Sequence, residues 1–255
     1  MKIWLLRLLF AVVVLACWEF VSGRFVSPLY ISAPSAIGAK LYAMLADGSL
    51  LRNMSITAFE AGAGFVIGGA AGIAAGLILG RARLLADVLD PFLIGLYSLP
   101  KVALAPLFVM WFGIEVPMKI IFAGVVVFFL VFLSTYSGVR SVSRELITIF
   151  RLMGASETQL VRTIILPAAM SWVFSGLRLS APYALVGAII AELIAANRGL
   201  GYLVDRATTQ FDTAGAFAAV AGILALSAAL NVLIKFAERF FMPWQAAEEA
   251  REVAV

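Results

Sequence analysis

The chain has 255 residues, 63% of them hydrophobic and 13% charged, with 19 basic against 15 acidic side chains and a net charge of +4. Soluble domains are about half apolar and about a quarter charged, so too few charges are present here to clothe a soluble exterior. The scarcity of polar sequence equally excludes disorder, and a polytopic membrane protein is the class that remains.

Chemistry is narrowed by what the chain lacks. With no histidine, Ser-His and Cys-His catalysis and His-ligated metal sites are excluded, and the lone Cys17 forms no intrachain disulfide or thiolate cluster. No catalytic centre or metal site is therefore expected. In a membrane chain the basic excess points to cytoplasmic-loop lysine and arginine and away from nucleic acid.

Lys2 and Arg7 before an apolar run resemble a signal peptide, and Val14-Leu15-Ala16-Cys17 loosely resembles a lipoprotein cleavage site. The rest of the chain is too apolar for a secreted domain, so the segment reads as an uncleaved first span. A span needs about 20 mostly apolar residues. Six candidates occur, at residues 3–21, 56–80, 88–112, 118–139, 168–196 and 217–236. Together they make one transmembrane domain over residues 1–255, all-α, without internal repeats.

Between the first two spans, Pro34 suits a first helical turn, and Ile37, Leu41, Met44 and Leu45 then share one face. A short helix on the outer surface is expected, with Asp47-Gly48 turning toward the second span. That span carries Gly64, Gly68, Gly72, Gly76 and Gly80. Spacing of four aligns them on one helix face, where missing side chains let another backbone approach closely. The third span contains Pro91, Pro100, Lys101 and Pro106 and reads as a broken or re-entrant helix.

Orientation follows the basic residues. With the N-terminus inside, Lys2, Arg7, Arg81, Arg83, Arg140, Arg144, Arg151, Arg162, Lys235, Arg239 and Arg251 are cytoplasmic. Arg24, Lys40, Arg52, Arg198 and Arg206 fall outside, with Lys119 near the interface. The imbalance puts both termini in the cytoplasm and makes residues 140–167 the main cytoplasmic loop.

That loop is a helix-turn-helix outside the membrane. Gly154 is the expected left-handed residue ending the first helix. Ser156 with Gln159 makes a capping box, Glu157 puts negative charge at the new helix's positive end, and Pro167 begins the next span. Ile147, Ile149 and Phe150 are available to fill a partner's groove; two interfacial helices resting on headgroups are the plain alternative.

Here the sequence resembles a known family. Gly154, nine residues, Ile164, one residue, then Leu166-Pro167 is similar to the cytoplasmic loop motif of binding-protein-dependent ABC importer permeases. Phe150 to Ser156, Leu166 to Ala169, Gly176-Leu177-Arg178, Ala191-Glu192 and Gly199-Leu200-Gly201 resemble the nitrate/sulfonate/taurine branch, as do Leu99 to Phe108 and Trp111 to Ile114. The resemblance runs from about Ala33 to Met242. It implies the type I importer fold: two permease subunits, with a homodimer the expected pairing, a cytoplasmic ATPase dimer that binds ATP and Mg, and a periplasmic or extracellular substrate-binding protein. The implied location is the bacterial cytoplasmic (inner) membrane.

The resemblance further implies that Glu145, Thr148, Ile149, Phe150, Arg151, Gly154, Ala155, Ser156 and Glu157 couple to the ATPase. The family's Glu-Ala-Ala triplet falls on Thr148, Ile149 and Phe150, so its acidic residue is missing and Glu145, one turn earlier, is the expected substitute. Glu60 stands where this branch would carry a basic residue. The energy source must lie on another chain, because none of this chain's lysines follows a glycine as a phosphate-binding loop requires.

Charges within a bilayer are functional candidates by default. Lys101, after Pro100, can attract an anion in the pathway or snorkel to a partner. Arg178 is expected to pair with a carboxylate, and Glu192 to hydrogen-bond a gate beside Gly199 and Gly201. Glu60 and Glu19 are the expected partners for these cations. Asp87 and Asp90 are expected to flank the cytoplasmic start of the third span. The expected function is a permease subunit for a small solute: a sulfonate, a nitrate-like anion, or an aromatic or heterocyclic compound. An ion-coupled secondary transporter is the rival; it would leave the capped loop without a purpose. An intramembrane enzyme would need an acid-base pair that the sequence does not supply.

Overall fold

The structure is a computed structural model describing residues 2–241. Among these, all regular structure is helical, apart from an isolated bridge between Ser22 and Val26. In chain order the helices are α1 (Lys2–Val21), α2 (Pro34–Ala46), α3 (Ser49–Arg81), α4 (Arg83–Ser98), α5 (Ala105–Phe112), α6 (Val116–Arg140), α7 (Arg144–Leu152), α8 (Glu157–Leu160), α9 (Leu166–Ile194), α10 (Leu200–Thr209) and α11 (Thr213–Phe241). A 3₁₀ turn, Lys101–Leu104, precedes α5, and a π turn, Val161–Ile165, joins α8 to α9.

Among the described residues, five helical stretches are long and apolar enough to cross a membrane, and six if α4 and α5 form one bent span. The bend is 80°. It falls at Leu99-Pro100, where Leu99 is extended, as a residue preceding proline prefers. Pro91 is absorbed inside α4, and Pro106 sits in the first turn of α5, where its missing N–H has no helical partner to lose. So Pro100 alone breaks this span.

Contacts divide the chain into two compact units, one of residues up to Ala58 with Glu192–Leu226, the other of Phe59–Ala191 with the segment from Ser227 onward. In the first unit, α2 begins at Pro34 and ends before Gly48, which has φ of +74°. Met44 is buried and Ile37 and Leu41 half-buried, but Leu45 is exposed, so the inward face is narrower than the spacing suggested. Leu50 and Leu200 are buried against Gly222 of α11, where an added Cβ would lie 2.9 Å from Leu50 Cδ1. Trp18 meets Phe217 edge-on at 5.6 Å, and Lys40 reaches Asp212 at 2.6 Å.

The second unit is built around α6. A Cβ on Gly64 would sit 2.7 Å from Ala123 Cβ, on Gly72 2.9 Å from Phe128 O, on Gly76 2.6 Å from Thr135 Cβ, and on Gly80 2.7 Å from Val139 Cβ. On Gly68 it would collide with the backbone of Gly124. The ladder is thus the seam along which α3 packs on α6. A second, adjoining seam uses the same device: Gly138 of α6 lies against Trp172, and Gly176 and Gly187 of α9 lie against Ser134 and Ala123. Without a hydrophobic drive between helices in lipid, such close van der Waals packing holds spans together.

Candidate functional site: the loop helices and a buried carboxylate

The loop is tightly specified by local chemistry. Ser143 Oγ accepts from Leu146 N–H at 3.2 Å and caps α7, a cap that Ser143 at three residues' distance could have signalled. Gly154 has φ of +85°; its N–H bonds to Arg151 O and the Ala155 N–H to Phe150 O, the paired bonds of a Schellman stop. The Ser156–Gln159 capping box is complete. Arg151 donates to Glu157 Oε1 at 2.8 Å and ties the two helices across the turn.

Two features differ from expectation. Pro167 does not start a separate helix: α8 runs through the π turn directly into α9, giving a 38-residue stretch, Glu157–Ile194. Proline cannot donate to the carbonyl four residues back and its ring crowds it, so the ladder widens to π spacing just ahead of it. The apolar tip is also different. Ile149, Leu152 and Met153 are exposed, Leu152 at 83%, whereas Phe150 and Ile147 are half-buried. Leu152 and Met153 lay in the quoted segment but outside the expected docking set. Glu145, Thr148 and Glu157 are exposed and Ala155 half-buried.

The intramembrane charges have particular settings. Lys101 Nζ donates to Tyr97 O at 2.8 Å and lies over the Tyr97 and Phe129 rings at 4.9 and 5.2 Å, held by its own helix end and by aromatic faces. Arg178 is exposed on α9. Glu60 is buried and pairs with Lys119 at 3.7 Å, while Glu19 accepts from Ser35. Lys119, expected near the interface, is buried against its neighbours, and it is a cation that Glu60 meets beyond those the sequence suggested. A buried cation has to be matched where it lies. Asp87 and Asp90 lie within α4. Asp87 pairs with Arg140 at 2.9 Å, and Tyr136 OH bridges Arg140 and Asp90.

Glu192 is the most completely satisfied of these groups. Its carboxylate, 1% exposed, accepts from Thr57 Oγ1 at 2.7 Å and from Gly201 N–H at 2.6 Å. Thr57 Oγ1 in turn accepts from Leu200 N–H at 2.8 Å, and Asn53 Oδ1 from Gly199 N–H at 2.7 Å. The N–H groups of the N-cap residue Gly199 and of the first two residues of α10 are therefore capped by side chains of α3 and α9, with negative charge at the helix's positive end. Gly199, at φ of +107°, passes so close to Glu192 that a Cβ there would overlap the carboxylate. Asn53 and Thr57 were missed in the sequence; two polar residues at i, i+4 entering an apolar span were the available signal.

The sequence model of the family "binding-protein-dependent transport system inner membrane component" matches residues 68–245. The chain is 29% identical over 95% of its length to 88% of a putative aliphatic sulfonates transport permease, SsuC, of Bacillus subtilis. It is 31% identical over 93% of its length to 94% of the formylaminopyrimidine transport permease ThiX of Halalkalibacterium halodurans. It is 28% identical over 92% of its length to 87% of the taurine transport permease TauC of Escherichia coli. Among solved structures, an inward-facing form of the MetNI methionine ABC transporter is similar in fold, with TM-score 0.58, 18% identity, and coverage of 76% of this chain and 94% of that one.

Proposed function

We infer the role of this chain from one premise: it belongs to the binding-protein-dependent transport system inner membrane components. It is a multi-pass ABC importer permease of the inner membrane, in the sulfonate/taurine branch, and its work is transport and not catalysis. The proposal is that two such subunits, paired as a homodimer, form the path for a small sulfonate, a nitrate-like anion or a heterocycle handed over by an external binding protein. ATP and Mg act on a partner ATPase dimer.

The observation that supports this most is the loop. A helix of nine residues, capped at both ends and ion-paired to the next helix, presents Ile149, Leu152 and Met153 bare at its tip. Apolar side chains held on so rigid a support match a protein groove better than lipid. Because α8 is continuous with α9, a displacement of the loop passes directly into a span. The mechanism proposed is alternating access: ATP-driven closure of the ATPase pair moves the loop, the permeases open outward to receive solute, and hydrolysis returns them inward. Glu192 would hold the outer end of the path in register, with Lys101 and Arg178 as the cations placed along it.

The test is solute uptake into liposomes holding the permease with its ATPase and binding protein. ATP-dependent uptake abolished by Phe150→Ala combined with Gly154→Val is expected. Uptake driven by an ion gradient without ATPase would instead favour a secondary transporter.

A further inference from the structure

Behind the loop, on the side away from its bare apolar tip, lies a cleft of about 600 Å³. It is lined by Arg81, the last residue of α3, Arg140, the last of α6, and Arg151 of α7, together with Ile78, Val142 and Ile165. Three spans begin or end here, so under the orientation proposed above the cleft lies at the cytoplasmic surface of the bilayer. Glu157 also lines it. The two acidic partners nearby are already engaged, Asp87 with Arg140 and Glu157 with Arg151, each at 2.9 or 2.8 Å. A guanidinium carries five donors, and these contacts use only some of them.

We propose that this cleft binds the phosphate of an anionic phospholipid, the three guanidinium groups holding the headgroup and the isoleucine and valine side chains taking the start of an acyl chain. The shared chemistry is a phosphate anion. The apolar lining commits the site to a lipid over free phosphate, since a small ion has no use for it. Basic pockets between spans at the cytoplasmic surface are suited to such headgroups, and arginine pairs with phosphate through two parallel hydrogen bonds. The cleft shares Arg151 and Glu157 with the segment expected to couple to the ATPase, but not the bare apolar tip. On α7, Ile147 and Arg151 point into the cleft, whereas Ile149, Leu152 and Met153 occupy other sides of the helix and are exposed. A lipid phosphate shares Arg151 with Glu157, so occupancy bears on the ion pair that fixes the angle between the loop helices.

The test uses the full chain in detergent or nanodiscs, without ATPase, with lipid retention read by native mass spectrometry. Phosphatidylglycerol should be retained over phosphatidylcholine, and Arg81→Gln should weaken that retention about fivefold. Val142→Trp, which fills the apolar lining without touching charge, should also release the lipid and keeps the test decisive should Arg81→Gln fold poorly. Equal retention of both lipids, or retention indifferent to both substitutions, would overturn the proposal. So would millimolar inorganic phosphate displacing the lipid completely. Lipid selectivity persisting while ATP-dependent uptake fails would count against the ATP-driven reading and leave this site standing.

Discussion

Burying a carboxylate is costly unless its oxygens find donors, and both oxygens of Glu192 do. Thr57 and the N–H of Gly201 supply them, while Thr57 and Asn53 take the neighbouring N–H groups. Replacing Glu192 by glutamine keeps the shape but turns an NH₂ toward a donor. A loss of roughly 1–3 kcal/mol is expected, the cost of a buried group left unsatisfied. Thermal unfolding in detergent checks it, and an unchanged midpoint would remove the clamp from this account. At the exposed Lys40–Asp212 pair the effect is smaller. The hydrogen bond from Lys40 holds the Asp212 carboxyl below its usual range, against some desolvation, with help from the Gly215 N–H. A depressed carboxylate stabilises the folded state above its ordinary value and loses that contribution as pH falls through the folded one. With both partners a third or more exposed, the contribution is at most about 1 kcal/mol. Asp212→Asn should therefore lower stability between pH 6 and 8 by no more than about 1 kcal/mol, with the difference vanishing in acid, so that the acid limb of a melting-point profile flattens.

At the level of helices, packing depends on where side chains are missing. Gly68 touches the backbone of Gly124, whereas Gly62, on the same helix, has nothing within 4 Å of where its Cβ would be. Gly68→Ala must push α3 off α6 and should cost at least 1–3 kcal/mol, as overpacking does. Gly62→Ala meets open space and should gain up to about 0.5–1 kcal/mol from the stiffer chain. Paired melting curves test both; equal effects would mean that the ladder is not the packing seam. The bent span follows the same logic of local cause, since the residue before Pro100 must be extended and the remaining prolines find positions that tolerate them.

For the whole chain, the placement of both termini in the cytoplasm rests on the distribution of lysine and arginine. Of those residues, Arg251 lies outside the described region, and Met242 closes the resembling stretch just beyond it. The orientation is open to direct measurement. In a Cys17→Ser background, Met153→Cys should react with an impermeant maleimide only in inverted vesicles, and Phe211→Cys only in right-side-out ones. Both positions are exposed, Met153 at 78% and Phe211 at 74%, so silence cannot be blamed on burial. The reverse pattern would invert the loop and with it the ATPase contact.

Patterns written along the chain were legible without coordinates: the apolar spans, the four-residue glycine ladder, the Gly154 stop, the Ser156 capping box and the motif that resembles importer permeases. Each depends on residues a few positions apart, whose geometry the helix period dictates. Pairings across the chain were not legible. Glu192 and Thr57 are 135 positions apart and Lys119 meets Glu60 from another helix, because what satisfies a buried charge is set by which helices pack together. The same holds for the cleft, where Arg81, Arg140 and Arg151 converge from three helices although no spacing in the sequence announces it. Local periodicity is carried by the chain itself, while long-range polar matching exists only once desolvation forces each buried group to find its partner.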